Sequence, residues 1–161
     1  MGISDKGADF IKFALHDNSV ESICTLGRQF MYLGSDYESR QRHTRAYGNA
    51  YADSYFQDIY GCKVIHSIDN SDYEGCTHRY DLNSLFYSMV PIKYDLVLDA
   101  GTFEHVFDVR TAFLNIINLV RPFGRIVHIL PANNHTTHGF YQFSPELFYA
   151  VYSGTRGFRD T

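Results

Sequence analysis

Residues 94–131 constrain this chain more than any other stretch. YDLVLDA at 94–100 is a strand pattern that runs into a Gly101-Thr102 turn. Asp108 then stands as a helix N-cap, and Val109, Ala112, Phe113, Ile116, Ile117 and Val120 recur at three- and four-residue spacing as one apolar face. Arg121-Pro122-Phe123-Gly124 ends that helix, and RIVHIL at 125–130 is a second strand closed by Pro131. A strand, a crossover helix and a strand in this order make parallel neighbours, because parallel strands need a long connection.

The same alternation extends in both directions. VESICTL at 20–26 reads as a buried strand turning at Gly27, KVIHSI at 63–68 as a strand ending on Asp69, and residues 77–80 as a short strand ending on Asp81. Ser35 and Glu38 form a capping-box signature for a helix over 36–60 that stops at Gly61, and Ser144-Pro145-Glu146 opens a last helix to 153. The predicted fold class is α/β, a Rossmann-like parallel sheet covered on both faces. It is read as one domain over 1–161, with an N-terminal appendage at 1–19 and an inserted helix or lid at 36–60.

Composition narrows the function classes. With 161 residues, 45% hydrophobic and 20% charged, the chain has the makeup of a self-supporting globular domain. A formal charge of -4 and no long lysine-arginine run speak against a nucleic-acid partner. The N-terminal MGISDKGADF has no signal-peptide pattern, and no stretch is apolar enough to span a membrane, so the expectation is a cytoplasmic protein with no membrane partner. The three cysteines form no CxxC pair and read as inert thiols. The aromatic share of 16%, all Tyr and Phe, puts many phenols half-buried or along a cleft.

In open parallel sheets, ligands bind at the carboxyl ends of the strands. That rule singles out Gly27, Asp69, Asp81 and residues 101–105. The residues there also resemble a known family. Residues 94–131, together with TLGRQ, SIDNSDYEG, YDLN, GTFEHVFD and HGFYQFSPELFY, resemble class I S-adenosylmethionine-dependent methyltransferases, more narrowly a little-characterised methyltransferase-like group, over about two thirds of the chain. The resemblance implies S-adenosyl-L-methionine as cofactor, a small-molecule or glycan-type methyl acceptor, and cofactor contacts from Leu26, Gly27, Arg28, Asp69, Asp81, Leu82, Gly101, Thr102 and Glu104. In it Asp69 is the ribose-binding acid, and Asp81-Leu82 the adenine-side turn.

The chain departs from that family in three places. One glycine, Gly27, stands where several are usual; the interval from Gly27 to Asp69 is about twice the roughly 20 residues of a nucleotide-binding βαβ unit; and the family's last two strands are expected to be lacking, which leaves 125–130 as an open sheet edge and predicts a homodimer.

For the chemistry, His105 and His138 are candidate general bases at neutral pH, and Tyr141 offers a phenol to a polar acceptor. The competing readings are structural: Asp69-Asn70-Ser71-Asp72 as a turn cluster, Asp81 as a strand-end turn, and Glu104-His105 as loop-ordering groups. His135 and His138, two residues apart, could suggest a metal site with Glu104 or His105, but ligation needs three or more convergent donors and a loop pair at this spacing is common by chance, so no metal site is read here. Tyr47, Tyr51 and Tyr55 at four-residue spacing, with Arg40, Arg42 and Arg45 nearby, read as a packing face or a lid. Two other function classes stay open: a non-catalytic scaffold on a degenerate fold, and a nucleotide-binding enzyme of different chemistry, although no GxGxxG occurs.

Overall fold

The computed structural model describes residues 2–16, 19–32 and 50–159. Its main sheet has five strands: β2 (Ser22–Leu26), β4 (Val64–Asp69), β5 (His78–Arg79), β6 (Tyr94–Ala100) and β7 (Val120–Ile129). They lie in the order β5-β4-β2-β6-β7, and every pair is parallel. The chain therefore winds outward from β2 to one edge, returns, and winds outward through β6 to the other. The order reverses between β2 and β6, where such sheets form a ligand crevice.

Alternation along β6 shows why the sheet is buried on both sides. Leu96, Leu98 and Ala100 face one core with Ile23 and Val127, and Val97 faces the other with Cys24. The first core is covered by α1 (Asp5–Ala14) and α2 (Asp53–Tyr60), the second by α3 (Val109–Leu119) and α4 (Pro145–Val151). Asp108 caps α3 by accepting from the Thr111 amide, as its place in the sequence indicates.

The N-terminal residues, read from sequence as an appendage, contain two elements. β1 (Gly2–Ser4) pairs in parallel with β3 (Phe30–Tyr32) as a separate two-stranded sheet, and Ser4 caps α1 through the Gly7 amide. Ile3, Ala8 and Ile11 are fully buried against the main sheet. This segment is thus part of the core.

The helix expected over 36–60 needs correction. Within that range, Asp53–Tyr60 is the helical part among the described residues, and it ends on Gly61 at φ 70. Ser35, Arg40, Arg42, Arg45 and Tyr47 lie outside the described residues. Tyr51 is not helical: it bridges Phe30, while the Met31 amide donates to Ala50 O and the Ala52 amide to Gln29 O. Those pairings with the loop after β2 engage backbone groups that a continuing helix would use.

The passage from α3 into β7 also differs. Tyr94 pairs with Val120 and Leu96 with Arg125, so the residues between them bulge out, with Phe123 at φ 65 and almost wholly exposed. Gly124 returns the chain where a Cβ would sit 2.9 Å from both Tyr94 O and Asp95 O, so only glycine fits. Among the described residues no strand follows β7, which forms one edge of the sheet.

Candidate functional site

The register places Ile68, Leu26, Asp99 and His128 in one row across the sheet. The residues just past that row therefore emerge together at the carboxyl edge. Gly27 (φ 68) turns the chain away after β2, and Gly101 (φ 93) does so after β6. The Leu26 carbonyl is the knot between them: it accepts from Thr102 Oγ1 at 2.7 Å and from Gln29 Nε2 at 2.6 Å. Leu26 itself is fully buried, and the Gly27 amide donates to Ile68 O. These bonds tie the turns after β2 and β6 to each other.

Arg28, expected beside a cofactor, is tied to neighbouring loops. Its guanidinium lies 4.1 Å from the Tyr51 ring centre, 3.4 Å from Asp53 Oδ2 and 3.0 Å from Glu74 O. Asp69 ends β4 beside Gly27. Its Oδ1 accepts from the Ser71 amide at 2.9 Å, an Asx turn, and Oδ2 has no hydrogen-bond partner among the described residues. Asp81 binds both the amide and the side-chain nitrogen of Asn83, whose Oδ1 in turn accepts from the Asp108 amide. Leu82 is buried in the core behind this turn. The sequence thus located a pair of strand-end turns whose acids organise their own loops.

The second half of the site is more concentrated. After Gly101 and Thr102 a short 3-10 turn, Phe103–His105, carries Glu104 inward and His105 outward. The loop following β7 folds back over it. Glu104 O accepts from the Phe140 amide at 2.5 Å and the Tyr141 amide at 3.3 Å, and the Tyr141 hydroxyl donates to Phe107 O at 2.8 Å. Gly139, at φ 73, passes so close that a Cβ would stand 2.6 Å from Glu104 O. His138 Nε2 consequently lies 3.4 Å from Glu104 Oε1, and its ring meets that of His105 edge-on at 5.0 Å. Phe107 and Phe140, both largely exposed, make an edge-to-face pair at 6.0 Å beside these groups.

Sequence reasoning missed a buried relay beneath this loop. Asp99 Oδ2 is 2.9 Å from His128 Nδ1, and His128 Nε2 is 2.7 Å from the Tyr152 hydroxyl. Asp99 Oδ1 also accepts from the Thr102 amide at 3.0 Å. Burial first, and the Asp99 charge second, push the Tyr152 hydroxyl well above its ordinary range, so it stays protonated beside the imidazole. A charge and an imidazole inside apolar strand runs, Asp99 in YDLVLDA and His128 in RIVHIL, were the available signal.

One small cavity, of about 10 Å³ between α2 and the sheet, reaches the loop after β2 at Arg28 and Gln29 and has room for a single water. Another, of about 220 Å³ beside Asp95 and Arg121, lies at the opposite, amino end of the strands. Cys24 and Cys62 are buried; burial and then the Asp95 charge push the Cys62 thiol up to about 11, so both are poor nucleophiles at neutral pH. Among the described residues no helix is long and apolar enough to cross a membrane. No family model matches the chain, and no curated protein matches it.

Proposed function

We propose that this chain transfers a methyl group from S-adenosylmethionine to a small-molecule or glycan-type acceptor. The observation that carries the reading is the parallel order β5-β4-β2-β6-β7 with its reversal between β2 and β6, two positive-φ glycine turns at that reversal, and Asp69 at the end of the adjoining strand. The residues fit such a ligand. Asp69 Oδ2 is a carboxylate oxygen open to a ribose hydroxyl, and the Gly27 and Gly101 turns leave the mouth between β2 and β6 free of side chains at those two positions.

The bound sulfonium supplies an activated methyl group, and the protein's part is alignment. Asp69 orients the nucleoside, and the Glu104, His105, His138 and Tyr141 cluster addresses a polar acceptor group. The exposed Phe107–Phe140 pair offers an apolar face to the acceptor's ring. Transfer of this kind draws much of its rate from holding donor and acceptor in line.

Calorimetric titration with S-adenosylmethionine and with its demethylated product tests the reading directly. Asp69→Ala should weaken binding by roughly 1.5–3 kcal/mol and leave the melting temperature nearly unchanged, as expected for loss of a charged hydrogen bond at a ligand. Equal affinity in variant and parent removes Asp69 from the site. The fixed Arg28 favours a second reading, a scaffold on this fold that binds no S-adenosylmethionine. Affinity for a nicotinamide dinucleotide instead selects a nucleotide-binding enzyme of other chemistry.

The partner we propose is a second copy of this chain, paired through the open edge of β7 beside the exposed Phe123. Light scattering at ~100 μM, a concentration at which uncovered edges associate, should report a dimer. A stable monomer rules the pairing out.

A further inference from the structure

We propose that Glu104, His105 and His138 form a site for one divalent transition-metal ion of the Zn²⁺ class, open on its histidine side. Nothing in the methyl-transfer reading requires it, and it is tested without S-adenosylmethionine.

Each of the three residues offers one ligand atom, and these atoms lie within 4.8 Å of one another. Two ligands on a tetrahedral ion with bonds near 2.1 Å stand roughly 3.4 Å apart. His138 Nε2 and Glu104 Oε1 are already 3.4 Å apart. That distance is long for a hydrogen bond and right for two donors converging on a common centre.

The second observation concerns Glu104 alone. Its side chain is only 2% exposed, yet Oε2 is buried with no hydrogen-bond partner among the described residues. Buried carboxylates are ordinarily paired, saturated with donors or bound to a metal. The facing histidines are more than half exposed in the case of His138 and exposed at His105, so the ligand set presents a buried anion with a solvent-facing rim. Catalytic metal sites keep such an open position for water or substrate.

The backbone holds this set in place before any ion arrives. His105 sits in the 3-10 turn next to Glu104, and its amide donates to Thr102 O. His138 comes from a distant loop, fixed by the Phe140 and Tyr141 amides on Glu104 O and by Gly139, whose missing side chain permits the contact. Ligands carried on constrained backbone lose little freedom on binding, which favours affinity.

One carboxylate and two imidazoles suit a borderline ion. Mg²⁺ and Ca²⁺ favour all-oxygen sets, whereas Zn²⁺, Fe²⁺ and Co²⁺ accept this one. An ion here would take a hydroxyl or carbonyl oxygen as its outer ligand and make a bound hydroxyl more acidic. Its service to a methyl acceptor rests on the methyl-transfer reading; the binding does not.

Titration of the metal-free full chain with Zn²⁺, followed by calorimetry, should show one site per chain. Co²⁺ in its place should give a visible absorption band of low-symmetry nitrogen-oxygen coordination. His138→Gln and His105→Gln, both at exposed positions, should each weaken Zn²⁺ binding at least tenfold with unchanged circular dichroism. Glu104→Gln should abolish the Co²⁺ band. His135→Gln should leave binding as it was, since His135 lies outside the set. Zn²⁺ affinity that survives both His105→Gln and His138→Gln, loss on His135→Gln equal to that on His138→Gln, or displacement of Zn²⁺ by equimolar Mg²⁺ would each overturn the assignment.

Discussion

Asp95 and Glu104 are both buried carboxylates, at opposite ends of the β6 region, and they are treated in opposite ways. At the amino end, Asp95 Oδ2 accepts from the Glu21 amide, the Ser22 amide and the Ser22 hydroxyl at 2.7–2.9 Å, and Oδ1 pairs with Arg121. At the carboxyl end, Glu104 has one histidine at 3.4 Å and a second oxygen with no partner among the described residues. A saturated buried acid is a structural fastener, here binding the start of β2 to β6 and β7. An unsaturated one is a cost the fold carries, and in this molecule it stands at the edge where parallel sheets bind ligands.

The largest expected effect tests the saturated member. Asp95→Ala strands two backbone amides and a guanidinium, and should cost about 3 kcal/mol, a drop in melting temperature of roughly 6–12 °C for a domain of this size. Burial alone would raise the Asp95 pKa, but donation from Ser22 and the Glu21 amide together with the Arg121 charge outweigh it and hold the carboxyl below its usual range. The stability this contributes is therefore fully present above the ordinary carboxylate value near ~4, and is lost as pH falls through the lower native value. Acid unfolding of Asp95→Ala should lose part of that limb. An unchanged acid profile would mean that Asp95 is not the fastener described.

A smaller effect tests the clamp on Glu104. Gly139→Ala requires a Cβ 2.6 Å from Glu104 O at a left-handed φ and should cost about 2 kcal/mol or more. Gly61→Ala, also left-handed but with nothing within 4 Å, should cost only about 1 kcal/mol. Equal losses in thermal melts would show that contact with Glu104 O adds nothing.

The smallest effect is the sharpest contrast. Glu104→Gln in the metal-free protein removes a buried charge that has little compensation, so stability should change by less than about 1 kcal/mol and in the favourable direction. A loss as large as that of Asp95→Ala would erase the distinction between the two acids.

Much of the architecture was legible before the structure. The run 94–130 carried its periodicities openly, and the Asp108 cap, the Gly61 stop and the glycine turns at 27 and 101 depend on local backbone chemistry that a sequence expresses directly. The helix over 36–60 was misread at Tyr51 because its four-residue spacing is helical in pattern, while the competing pairing comes from residues 29–31. The short β1 and β3 escaped notice because three residues have too little periodicity to register.

The candidate site divides along the same line. Asp69, Asp81 and the 101–105 turn were located by the rule that strand ends gather ligands, and each lies at such an end. The meeting of Glu104 with His138, and the relay from Asp99 through His128 to Tyr152, join residues far apart in the chain. Sequence determined the strand order's raw material, the caps and the turns, because those are set by neighbours a few residues away. Only the tertiary structure decided which carboxylate would be saturated and which left open, because a hydrogen-bond partner is supplied by whatever the folded sheet brings within 3 Å.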